Sequence, residues 1–160
     1  MTHIRVILVG KVREAYLRQG IAEYLKRIRP YARVEFVEIK DEPVRDAASP
    51  KDIESATEVE GHRLLSALRE GEHLIALDSR GKMFSSAEFA RWLQERGVRG
   101  ESRLVFAVGG PNGLSPMIID RADLVLSLGP MTFLHQFVPL LLLEQTYRAF
   151  KIISGEPYHR

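Results

Sequence analysis

Short continuous apolar runs alternate along this chain with longer stretches in which apolar residues recur every third or fourth position. The first run, Ile4 to Val9, is rich in β-branched residues and closes at Gly10, which predicts a strand. Between Glu14 and Ile28 the apolar positions Leu17, Ile21, Tyr24, Leu25 and Ile28 have helical spacing, and Pro30 stops the pattern. Val34 to Ile39 alternates, as a half-exposed strand does. A charged loop, Lys40 to Ala48, follows. Ser49 is placed to cap a helix with Pro50 at its first position. That helix is expected to reach Arg69, ahead of Gly71, and to bury one narrow stripe of Ile53, Ala56, Leu64 and Leu68.

The second half repeats the rhythm. His73 to Asp78 is almost wholly apolar, which suits a strand covered on both faces. Asp78 to Lys82 reads as a turn. Ser85 and Glu88 have capping-box spacing and open a helix expected to end at Arg96. Arg103 to Val108 predicts a fourth strand. After Gly109–Gly113, Ser115 and Pro116 begin a short helix to Ala122, and Leu124 to Leu128 predicts a fifth strand. Gly129 and Pro130 break the chain before a long apolar helical pattern that ends at Ile153. A polar tail, Gly155 to Arg160, comes last. Strand and helix alternate five times with short links, which predicts an α/β domain with a mostly parallel sheet and helices on both faces. The 160 residues suit one domain, 1–160, with no internal repeat or linker.

Ligands of such sheets bind beyond the carboxyl ends of the strands. Three loops qualify: Asp78–Phe84, Gly109–Ser115 and Gly129–His135. Three glycines within Gly109–Gly113 let the backbone approach a ligand or take positive φ. The spacing matches neither a dinucleotide fingerprint nor a P-loop. The five histidines, His3, His62, His73, His135 and His159, include no pair at metal-ligand spacing, so no metal site is expected. No Ser/His/Asp constellation is visible, and Glu144 and Arg148 are spaced for a helical ion pair.

Composition narrows the classes. Apolar residues make up 45% and charged residues 28%, an ordinary globular balance. Cysteine is absent, which removes disulfide and thiolate chemistry and favours the cytoplasm. The Ile4–Val9 run is too short for a signal peptide, and Leu140–Leu143 is far too short to span a bilayer, so no membrane partner is expected. A net charge of +2 permits nucleic-acid binding without demanding it. The basic residues cluster around Lys11–Arg29, where Lys11, Arg13, Arg18, Lys26 and Arg27 form either a solvated face or a phosphate-contacting one. On these grounds alone, a module binding a nucleotide-like ligand stands beside an enzyme.

Particular residues add a resemblance. Leu77-Asp78 with Gly81-Lys-Met83 and Ser85-Ser86, Phe106 to Gly113, Met131 to Gln136, Leu143 to Ala149, and Gly155 to His159 together resemble the ribosomal RNA large-subunit methyltransferase H family, within the knotted SPOUT methyltransferases. The likeness covers the whole chain and is densest after Leu74. It implies a C-terminal trefoil knot within roughly residues 74–155, a cytoplasmic homodimer, and S-adenosylmethionine as cofactor. The implied reaction is N3-methylation of a pseudouridine in 23S ribosomal RNA of the assembled ribosome. It also implies cofactor contacts at Leu77, Gly109, Leu128, Gly129, Pro130, Met131, Thr132 and Phe133, and catalytic roles for Tyr158, His159, Arg160 and Arg148. An inactive, ribosome-associated protein that binds S-adenosylmethionine and RNA is the alternative. Where the family commonly has a basic residue after the His-Gln pair, this chain has Phe137, Val138 and Pro139. Pro139 in a helix interior would cost about 3 kcal/mol, so it has to lie in a first turn or at a kink.

Overall fold

The computed structural model describes residues 1–159. The elements follow the predicted order: β1 (Thr2–Val9), α1 (Ala15–Ile28), β2 (Ala32–Ile39), α2 (Pro50–Ala67), β3 (His73–Met83), α3 (Ser86–Val98), β4 (Arg103–Val108), α4 (Pro116–Arg121), β5 (Leu124–Ser127) and α5 (Val138–Ile153). Capping chemistry sets several boundaries. Ser49 Oγ accepts the Asp52 N–H at 3.2 Å while the Asp52 carboxylate accepts the Ser49 N–H at 3.1 Å. Ser85 and Glu88 do the same for α3. Each box satisfies N–H groups that a helix start leaves without partners. Pro139 lies in the first turn of α5, where its missing N–H costs nothing.

The five strands form one sheet in the order β2-β1-β4-β3-β5. Every described pairing is parallel. Each strand connection therefore has to cross a face of the sheet, and the helices divide between the two faces. Ile4, Val6, Leu8, Ile75, Leu104, Phe106 and Val108 pack against α1, α3 and α5. The alternate residues Ile7, Val9, Leu74, Ala76, Val105 and Ala107 pack against α2 and α4 through Leu64 and Ile118. Burial on both faces is why the central strands read as continuous apolar runs rather than alternating ones. Arg5 is the exception on the α2 side. It is buried, and its Nη1 donates to the Ala67 carbonyl at 3.0 Å and to the Glu72 carboxylate at 2.8 Å. Among the described residues, no helix is long and apolar enough to cross a membrane.

One expectation needs correction. Asp78–Lys82 is not a simple turn: β3 runs on to Met83. Leu77 and Lys82 both register with Leu126 of β5, so the residues between them swing out of the ladder before pairing resumes. Gly81 explains the return. A Cβ there would lie 2.6 Å from the Val125 carbonyl oxygen, so only glycine lets the backbone pass β5 this closely. Gly81→Ala should therefore force the strands apart and lower the unfolding free energy by roughly 1–3 kcal/mol, as overpacking does. An unchanged urea midpoint would show that the crossing tolerates a side chain.

Candidate functional site

The outward swing of β3 and the carboxyl ends of β4 and β5 open into a recess of about 240 Å3. The structure brings together Leu77 from β3, Gly109 from the end of β4, and Leu128, Gly129, Met131, Thr132 and Phe133 from the segment after β5. Pro130 belongs to that segment but does not line the recess. Leu114, Leu126 and Val138 complete mostly apolar walls. The glycine loop after β4 folds back on itself: the Gly113 N–H donates to the Gly110 carbonyl at 3.0 Å, and Gly113 has φ of 77°. A Cβ on Gly109 would lie 2.6 Å from the Gly113 carbonyl carbon. The glycine is thus demanded by closure of the loop, rather than by ligand space alone. Ser127 Oγ, at 3.1 Å from both the N–H and the carbonyl of Gly129, pins the start of the next segment.

The recess holds little charge. Asp78 on its rim is bonded twice by the Arg80 guanidinium, at 3.0 and 3.1 Å, which holds its carboxyl below the usual range. His135 lies at its far side. Burial depresses the imidazole pKa against a smaller opposing pull from Asp41. Apolar walls with a few polar groups, Asp78 and a histidine whose pKa is lowered by burial, suit a small organic ligand. Among the described residues, no group of three or more His, Asp or Glu side chains gathers as a metal site.

A second recess of about 240 Å3 lies beside the first, sharing Leu126, Leu128 and Phe133 and reaching Glu144 and Gln145 on α5. Phe84 and Leu141 are on its walls. Met131, Phe133 and Leu134 remain 76%, 41% and 56% exposed next to it. The apolar richness of α5 is partly consumed within the chain. Leu142, Leu143 and Phe150 are buried against the sheet, and Leu140 packs on Gly20 of α1. The open apolar surface is therefore centred on Met131–Leu134 rather than on the whole helix.

The tail is docked rather than frayed. Arg148 donates to the Glu144 carboxylate, and the Tyr158 hydroxyl donates to the same oxygen at 3.1 Å. The Arg148 guanidinium sits 4.7 Å over the Tyr158 ring, and Tyr147 meets that ring edge-on at 4.8 Å. Burial and hydrogen bonds to Tyr24 and Glu144 push the Tyr158 pKa up, so the phenol stays protonated and acts as a donor. Arg148 Nη1 lies 3.2 Å from His159 Nδ1. A guanidinium can only donate, so Nδ1 accepts and the ring proton belongs on Nε2. Tyr158, His159 and Arg148 are therefore one cluster, while Arg160 lies outside the described residues. None of the three lines either recess of its own chain.

Fold and site together define an α/β protein whose ligand recess is made by three loops at one edge of a parallel sheet. A family model described as "Predicted SPOUT methyltransferase" matches residues 2–159. The chain is 57% identical to the ribosomal RNA large subunit methyltransferase H of Symbiobacterium thermophilum, over 98% of this chain and 99% of that one. It is 49% identical to the protein of the same name from Carboxydothermus hydrogenoformans, again over 98% and 99%. A crystal structure of a probable methyltransferase from Bordetella pertussis Tohama I superposes with a TM-score of 0.56 at 15% identity, over 93% of this chain and 96% of that one, and so shares the fold. The chain belongs to the SPOUT methyltransferases and, within them, to the ribosomal RNA large subunit methyltransferase H family. SPOUT methyltransferases take their methyl group from S-adenosylmethionine.

One buried carboxylate escaped the sequence. Glu60 is only 6% exposed and accepts the Glu42 N–H at 3.0 Å, close behind Gly110. It sits one turn from both Ala56 and Leu64 on the buried stripe of α2, and that position was the available signal. Burial raises its pKa above the usual carboxylate value. The folded state therefore binds a proton more tightly than the unfolded one. The protonated form contributes stability below the usual carboxylate range, and this is lost as pH rises through the raised value. Glu60→Gln keeps the acceptor oxygen without the charge. The variant should be more stable than the natural chain at about pH 8, with the difference closing toward about pH 4. A thermal-stability gap that does not change with pH would contradict this account of Glu60.

Proposed function

We propose that this chain methylates ribosomal RNA of the large subunit, with S-adenosylmethionine held in the recess at the ends of β3, β4 and β5. One observation carries the proposal. The residues that build the recess come from three separate loops, in a chain that matches named large-subunit RNA methyltransferases along nearly its full length. The acceptor we propose is N3 of a pseudouridine in the assembled ribosome. The knot implied by the family would consist of the segments around β4, β5 and the loop that leads into α5.

S-adenosylmethionine supplies an electrophilic methyl group on a sulfonium, so the protein needs no covalent intermediate. Its own tasks are binding, alignment and charge stabilisation. Leu77, Leu114, Leu126 and Met131 would exclude water from the donor, while backbone edges at Gly109 and Gly129 would meet its polar groups. His135, kept uncharged by burial, would not repel the sulfonium. At the acceptor, N3 must lose a proton as the methyl group arrives. Tyr158 as a protonated donor, Arg148 as a cation and His159 with its proton on Nε2 all present donors. They suit stabilisation of the negative charge that develops on a uracil ring, with the proton passing to water.

Tyr158, His159 and Arg148 line neither recess of their own chain; only their anchor, Glu144, reaches the second one. We therefore place the complete site across a homodimer, with the exposed apolar surface of Met131, Phe133 and Leu134 as part of the twofold contact. Removing Tyr158–Arg160 should leave S-adenosylmethionine affinity unchanged by calorimetry. Transfer of labelled methyl to ribosomes should fall by roughly 10²–10³, the usual worth of a donor that stabilises a developing anion. A truncated chain that methylates ribosomes at the full rate would remove the tail from the mechanism.

A further inference from the structure

We propose that the cleft at the carboxyl ends of β1 and β2 seats the phosphodiester backbone of the substrate RNA, with Lys11, Arg13 and Lys40 as the phosphate contacts. The proposal rests on the methyltransferase reading above and gives it a defined track for the nucleic acid.

The cleft, of about 740 Å3, is the most spacious opening described at this edge of the sheet. It adjoins the donor recess: Pro111 and His135 line both. A strand lying in it would stand beside the place where the methyl group is held, so a neighbouring base can turn toward the donor. Its walls are held in advance. The Gly10 N–H donates to the Ile39 carbonyl at 2.8 Å, and the Val12 N–H to the Glu38 carboxylate at 2.7 Å. The Arg13 N–H donates to Gln136 Oε1 at 2.9 Å, which ties this wall to the segment entering α5. From behind, Arg63 donates to the carbonyls of Lys40 and Asp41, both at 3.2 Å, and to the Glu42 carboxylate at 2.7 Å.

Those bonds use the backbone and leave the cations. Lys11, Arg13 and Lys40 are exposed, and among the described residues none of their side chains has an ion-pair partner. Two other basic residues of the same region, Arg18 and Arg27, are committed within the chain. Arg27 is bonded to Glu23 and stacked over Tyr24, and the Arg18 guanidinium caps the Val12 carbonyl. Of the carboxylates lining the cleft, Glu38 accepts the Val12 N–H, and Asp41 has its backbone carbonyl bound by Arg63. Unpaired cations on a rigid wall lose little on meeting phosphates, and such contacts set register rather than sequence. With a net charge of only +2, the chain holds RNA best where its free cations gather on one wall, as these three do.

The test uses the full-length protein with Lys11→Ala, Arg13→Ala and Lys40→Ala, singly and together, and with Lys11→Arg as the charge-keeping control. Three quantities are measured: affinity for intact ribosomes as a function of salt, affinity for S-adenosylmethionine by calorimetry, and methyl transfer. Each alanine should weaken ribosome binding and reduce the slope of log affinity against log salt by about 1. KM for ribosomes should rise, Lys11→Arg should keep the natural slope, and S-adenosylmethionine affinity should not move. An unchanged salt slope in the triple variant overturns the proposal. So does a parallel loss of S-adenosylmethionine affinity, which would assign the cleft to the donor. If the natural chain binds ribosomes but transfers no methyl group, the proposed function fails, and the salt slope still decides the cleft independently.

Discussion

A sheet whose strands all run one way cannot use hairpins; every connection has to return across a face, usually as a helix. That constraint organises this molecule. It buries both faces of β1, β3 and β4, and it splits the helices into α1, α3 and α5 on one side and α2 and α4 on the other. It also delivers the ends of β3, β4 and β5 to one edge, where three loops make the recess. The helices hold the strands, and the strands leave their loops free for ligand. The same edge continues across β1 and β2 into the larger cleft, so donor and strand would be met by neighbouring parts of one surface.

The tail obeys a different logic. Its fixed point is the Glu144 carboxylate, which accepts from Arg148 and Tyr158 at once. The carboxylate raises the guanidinium pKa further, and the guanidinium in turn covers the Tyr158 ring and donates to His159. An ion pair of this kind on a helix surface ordinarily contributes less than about 1 kcal/mol. Here it gains a phenol, a stacked ring and an imidazole, and its effect is to hold the end of the chain in one place. Further anchoring comes from Glu156, bonded by Lys151 at 2.7 Å and by the Tyr31 hydroxyl at 2.8 Å.

Much of this was legible in the residues. Apolar runs and helical spacing give the ten elements in order, and the Ser85–Glu88 capping box and the Ser49 cap appear as spelled. What stayed hidden depends on contacts distant in sequence. The outward swing of β3 needs β5 alongside it, and nothing near Gly81 in the sequence announces the Val125 carbonyl. Glu60 looks like one more acid on a polar helix until Gly110 and Glu42 close over it. Glu144 and Arg148 were visible as a helical pair, but not as the clamp on a tail that arrives ten residues later. The long apolar pattern of α5 was visible too, and its own chain buries Leu142, Leu143 and Phe150 of it.

We propose that recess and tail are two halves of a site completed between two copies of the chain. Mixed dimers test it directly. One chain lacks Tyr158–Arg160; the other carries Gly109→Val, which disrupts the glycine loop of the recess. Each variant alone should transfer almost no methyl group to ribosomes. Co-refolded or exchanged in solution, the two should regain a substantial fraction of natural activity, because one composite site in each mixed dimer has an intact recess and an intact tail. Mixtures that stay as inactive as the separate variants, with dimer exchange demonstrated, would contradict the account.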